Sequence, residues 1–248
     1  KAAIKNYIIG LNPDFSFRGQ SPSRIEALSD GVFALAIALL VLSSSVPVRF
    51  DELLLSLQDL VPFAICITLL SLIWYEHYLF FLRFGLQDTK TVAMNMFLLF
   101  LVLFYVYPLK FLFKVLFDMF YGLLMQDSQL ITHLFTETIK PEDGPILMII
   151  YGIGAAGIFY TLAGMNKYAL TKEKELALTD REKFDTHTSL YNNVIMGSIP
   201  ILSAVIASMS LFLSINTFDI SGIAYMSFGL VMPIFHIRRK RIRIKKFH

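Results

Sequence analysis

The sequence predicts an all-α protein that crosses a membrane six times, on three observations. Of 248 residues, 56% are hydrophobic and only 17% charged, with a mean hydropathy of +0.62, a balance unlike that of soluble domains. The apolar residues gather into runs near the ~20 residues an α-helix needs to cross a bilayer. The cations between those runs fall largely on one side. Together they give one domain over residues 1–248, with a short cytoplasmic N-terminus and a basic C-terminal tail.

The apolar runs lie at 27–44, 60–82, 92–113, 145–168, 190–215 and 220–237. The first is short, with Arg24, Glu26 and Asp30 about its start. The second carries Trp74, Glu76 and His77. The third continues through Lys110 and Lys114 toward Phe120, so its outer end is soft. The fourth holds Gly152, Gly154 and Gly157, small residues that permit close helix packing. Before the fifth, residues 171–189 interleave cations with carboxylates, which favours a solvated helical extension over a binding patch. The sixth ends in Arg238, Arg239, Lys240, Arg241, Arg243, Lys245 and Lys246, a stop-transfer and anionic-lipid signal.

Six spans put both termini on one side. Eighteen of the 22 Lys and Arg residues then fall with the termini and the second-to-third and fourth-to-fifth loops. Arg49 and Lys140 fall opposite, so both termini are expected in the cytoplasm of a prokaryotic plasma membrane. Asn12, Pro13, Asp14 and Arg18 stand where a signal peptide would be apolar, so no cleavable leader is expected. The outer connection, 118–144, carries five carboxylates against Lys140. It suits either cation enrichment at an entrance or mere solubility.

No phosphate loop, dinucleotide fingerprint, zinc-protease helix, hydrolase elbow or cysteine pair occurs. Cys66 reads as a small core residue. The histidines have no metal-ligand spacing, so neither an enzyme, a cofactor nor a structural metal is expected. A formal charge of +3 does not imply nucleic acid.

Polarity in the first three runs is the conspicuous feature, because ionisable groups in hydrocarbon must face protein or water. The residues are Arg24, Glu26, Ser29, Asp30, Trp74, Glu76, His77 and Asn95. At ~100° per residue, Arg24 and Asp30 lie about 120° apart, so each needs a partner on another helix. Trp74 and His77 share a face and are placed to meet Ser29, Asp30 or Asn95. Either a packing network or a gating or proton-handling role fits. Leu35, Leu39 and Leu42, with Ala38, form an apolar stripe turned away from Asp30.

The run Arg24, Ile25, Glu26, Ala27, Leu28, Ser29, Asp30 resembles the R-x-x-x-F-S-D signature of the six-helix potassium channels related to the lysosomal and endosomal transmembrane channel. Leu28 replaces the usual Phe. The resemblance extends to Trp74, His77 and Asn95. It implies a potassium-permeable homotetramer without a pore loop, its pore formed where the first helices converge. Leu35, Ala38, Leu39 and Leu42 would line the pore, with potassium passing near Leu35 and Ala38. Arg24, Ser29, Asp30, Trp74, His77 and Asn95 would support them from behind. Family members often read A-I-T-L-L-V-L where this chain has Ala36 to Leu42 with Ala38, so a ring of hydroxyls is missing and weak selectivity over other monovalent cations is expected. The rival from another class is a proton-coupled secondary transporter relaying through Asp30, Glu76 and His77. It lacks a visible inverted repeat.

Overall fold

Ser23 and Glu26 start the first spanning helix by capping each other: the Ser23 backbone N–H donates to Glu26 Oε1 at 3.1 Å and the Glu26 N–H to Ser23 Oγ at 3.2 Å, the reciprocal pattern of a capping box. Glu26 thus serves the helix end. In the computed structural model, which describes residues 15–19, 21–42, 47–140, 142–213 and 218–247, this helix is α1, Arg24–Leu42. It is followed by a short α2, Phe50–Gln58, then α3, Leu60–Phe84, and α4, Thr89–Met125. A cap at the far end of α4 comprises α5, Ser128–His133, and a π-helical turn, Leu134–Thr138. The chain returns through α6, Gly144–Thr171, α7, Asp180–Leu213, α8, Phe218–Ala224, a 3₁₀ turn and α9, Phe228–Phe247.

Among the described residues six stretches are helical, long and apolar enough to span a bilayer, and the protein is an integral membrane protein with an all-α fold. Asn12, Pro13 and Asp14 lie outside the described residues, as does His248. The third run is longer than its apolar stretch because its lysines find acceptors: Lys110 Nζ donates to the Leu40 carbonyl at 3.0 Å, and Lys114 bridges Asp59 at 2.9 Å and Asp118 at 2.8 Å. In the 171–189 stretch only Thr171, which ends α6, and the part from Asp180 are helical, and Glu182 is fully buried rather than solvated.

Two packing regimes build the bundle. α1, α3 and α4 enclose an apolar core that includes Phe33, Ala36, Leu40, Leu70, Leu98 and Val102, with Cys66 buried inside it. α6 and α7 pack along much of their length, closely enough that a methyl on Gly152 would lie 2.5 Å from the Pro200 carbonyl oxygen and 2.7 Å from the Ala204 Cβ. A methyl on Gly154 would strike the Tyr105 ring. The two groups are joined where Tyr105 donates to the Tyr151 carbonyl at 3.0 Å and Tyr151 to the Pro108 carbonyl at 2.7 Å.

Residues 15–19 form a strap ahead of α1. Phe15 is buried against Phe84, and the Gly19 N–H donates to the Leu82 carbonyl at 3.1 Å. Gly85 ends α3 at φ +58°, touching the strap, a left-handed stop that suits glycine. Arg18 pairs with Glu182 at 3.1 Å and donates its Nε to the Leu176 carbonyl at 2.7 Å.

Candidate functional site

Ser29, Asp30, Trp74, His77 and Asn95 are drawn together where the start of α1, the end of α3 and the start of α4 meet. His77 Nε2 donates to Asn95 Oδ1 at 2.8 Å. Asn95 Nδ2 donates to Ser29 Oγ at 2.9 Å, and Ser29 donates to the Ile25 carbonyl at 2.8 Å. All three side chains are buried. The chain of donors runs one way and ends on backbone, so every step has an acceptor and the three helices are locked in register. The ring of His77 is further held against Phe33 and Phe81, with centroids 5.8 and 4.8 Å away.

Asp30 lies closer to the surface and accepts from Trp74 Nε1 at 2.7 Å. Trp74 is braced by stacking on Tyr78. Arg24 stands apart: it is exposed in the first turn of α1 and makes no hydrogen bond or ion pair among the described residues of its own chain. No hydrogen bond joins Asp30, Glu76 and His77 directly to one another among the described residues. His77 spends its Nε2 proton on an amide oxygen.

On the opposite side of α1, Gly31, Ala34, Leu35, Ala38, Val41 and Leu42 are exposed. Leu35 is 49% and Leu42 75% accessible. Leu39 is half-buried and packs on the core, at the flank of that row. Exposed apolar residues also occur on other spans, where bulky rings such as Phe97, Phe100 and Phe104 on α4 stand beside small residues such as Ala64 and Ala93. The α1 row mixes leucine with glycine and alanine, which lets helix backbones approach closely.

Sequence reasoning missed two contacts at the ends of α1. The Lys110 bond to the Leu40 carbonyl holds its C-terminal end, and the strap holds the approach to its N-terminal end. The Arg18–Glu182 pair spans 164 positions, so no local spacing announces it.

Comparison with known proteins settles the family. The family described as endosomal/lysosomal potassium channel TMEM175 matches residues 24–105, the stretch that carries the polar network. A potassium channel from Marivirga tractuosa is 42% identical over 231 residues, covering 92% of each chain. The chain belongs to the TMEM175 family. A solved structure agrees along nearly the whole length: a threonine-to-alanine variant of the potassium channel MtTMEM175, crystallised with a nanobody–MBP fusion, is 43% identical, aligns with a TM-score of 0.81 and covers 96% of this chain and 100% of that one. The TMEM175 fold therefore extends through α6, α7 and α9, beyond the matched family segment.

Proposed function

We propose that this chain is one subunit of a homotetrameric, potassium-permeable channel whose pore is lined by the exposed face of α1. The observation that carries the reading is the division of α1 into a face pinned by buried hydrogen bonds and an opposite, unpartnered face of leucine and small residues. Relatives named as potassium channels support it. Four copies converging on an axis would cover that face, and Arg24, exposed and with no ion pair among the described residues of its own chain, would then meet a neighbour. The channel sits in a prokaryotic plasma membrane with both termini cytoplasmic, as the cation distribution favours, and its basic tail lies against anionic lipid.

Within such a tetramer, Leu35 is the principal hydrophobic constriction, with Leu42 farther out and Leu39 at the flank. An apolar ring gates by dewetting. Conduction is passive. Ala38 follows Leu35 by three residues and offers potassium no oxygen, so selectivity over sodium is weak. Ser29, Asp30, Trp74, His77 and Asn95 act behind the pore wall as its support.

Single-channel recording from purified protein in planar bilayers tests this. Discrete current steps that reverse near the potassium equilibrium potential are expected, and proton-coupled, saturable uptake without current steps would overturn the reading. Leu35→Asn should keep the constriction wetted and raise open probability. Ala38→Thr should raise the potassium-to-sodium permeability ratio, read from bi-ionic reversal potentials. An unmoved reversal potential would show that position 38 faces away from the axis.

A further inference from the structure

The groove between the start of α7 and the end of α9 holds an arrangement that ion conduction leaves unused. A cavity of about 350 Å³ lies there, bordered by Lys183, Phe184, His187, Tyr191, Arg239 and Lys246, with Asp180 as its carboxylate. Arg239 is its fixed cation. The guanidinium lies 4.0 Å from the Phe184 ring centroid. Its Nε and Nη2 donate to Thr188 Oγ1 at 2.9 and 2.7 Å, and Nη2 also to the Phe184 carbonyl at 3.1 Å.

These acceptors are neutral, so they orient the guanidinium without cancelling its charge, and Nη1 has no acceptor among the described residues. Four residues along α9, by contrast, Arg243 is paired with Asp185 at 3.0 Å. Lys183 is paired with Glu173 at 3.1 Å. Lys246 is exposed and has no ion pair among the described residues. The cavity thus offers a rigid planar fork beside a flexible ammonium, the combination suited to a phosphate group.

A second observation identifies the source. His187 and Tyr191 begin a row of exposed residues that continues up α7 through Val194, Ser198, Leu202 and Val205. Their spacing of three or four keeps them on one helix face. The row leads from the cavity along the apolar length of the span, a path that fits an acyl chain.

We propose that this cavity binds a phosphate-bearing anion, supplied by the headgroup of an anionic phospholipid of the inner leaflet whose tail lies along the α7 row. The proposal rests on the cytoplasmic placement of the tail given above, and it assigns to one pocket what the tail's charge alone would spread over a surface.

The test is lipid retention by the purified, assembled protein in mild detergent doped with phosphatidylglycerol or phosphatidylcholine, read by native mass spectrometry. Arg239→Gln and Lys246→Gln should each lower retained phosphatidylglycerol about fivefold, the loss expected for one interfacial charge. The paired change Arg238→Gln with Lys245→Gln removes two charges from a different groove of α9 and should have little effect. Because Lys246 is exposed, its substitution leaves the fold intact and keeps the test decisive if the Arg239 variant misfolds. Equal losses from both faces, or no preference for phosphatidylglycerol, would overturn the pocket. In lipid-free micelles, a thermal shift produced by inorganic phosphate and lost in Lys246→Gln would uphold the phosphate site with a soluble source. Potassium flux through the same preparation reports on the channel reading separately.

Discussion

α1, α3 and α4 meet through directional bonds, Trp74 to Asp30 and His77 to Asn95 to Ser29, whereas α6 and α7 meet through close approach, with Gly152 against Pro200 and Ala204. The same bilayer imposes both solutions, since helices there gain little from further apolar burial against one another. Hydrogen bonds fix rotation and register with specific residue types. Small-residue packing fixes distance and tolerates many sequences around it. The family match over residues 24–105 coincides with the first solution, while the second half follows through overall structural similarity. The bonded half is therefore suited to holding one face of α1 toward an axis, and the packed half to serving as a rigid buttress.

The strongest challenge to this contrast is Gly152→Leu. No rotamer avoids the Pro200 backbone, so α6 and α7 must separate at a cost of about 3 kcal/mol or more. Fluorescence-detected size exclusion after heating should show loss of the assembled protein. Wild-type stability would show that the two helices are not tightly packed.

Asn95→Leu attacks the other half. It removes the acceptor of His77 and the donor to Ser29 together, costing about 2 kcal/mol, with ion preference unchanged. If the reversal potential shifts and the melting temperature does not, Asn95 lies on the permeation path instead of behind it.

Trp74→Phe is a finer probe, because it keeps a ring to stack on Tyr78 and deletes only the N–H that Asp30 accepts. A loss of roughly 1 kcal/mol is expected. A much larger loss would mean that the Trp74–Asp30 bond carries the register by itself.

The smallest effect concerns a bond between the halves at the end of the bundle where α4 begins and α6 finishes. Asp88 accepts from Tyr168 at 2.6 Å and from Thr91 at 2.8 Å. Burial pushes its carboxyl up, but these hydrogen bonds and nearby Lys172 prevail and hold it below the usual carboxylate range. A pKa lowered by folding contributes stability that is present above the unfolded value, roughly 4, and lost as pH falls through the folded one. Tyr168→Phe should flatten this acid-side dependence in a pH series of melting temperatures. An unaltered slope would assign it to other carboxylates.

The six spans were legible because hydrocarbon length is written directly in composition. Ser29, Trp74, His77 and Asn95 were legible because polar atoms in such runs are conspicuous and helical spacing limits which can meet. The rotation of α1 was only partly legible. Leu39 belongs to the leucine stripe by spacing, yet it packs on the core because neighbouring helices, absent from any periodicity, decide where a stripe ends. α2 escaped notice because nine residues are too few for a spanning signal. The burial of Glu182 was hidden in a charged loop, since its partner Arg18 comes from the other end of the sequence.

That pairing bears on the mechanics of α1. Arg18 and Gly19 are moored to α3 and to the α6–α7 turn, and only a few residues separate the mooring from the helix start at Arg24. At no more than about 3.5 Å per residue, this tether bounds how far the helix start can travel from its mooring. That start is therefore the end of α1 that is tied to the rest of the bundle by the preceding chain. A swing about that tied start would be amplified toward Leu42, the end of the lever farthest from its fulcrum.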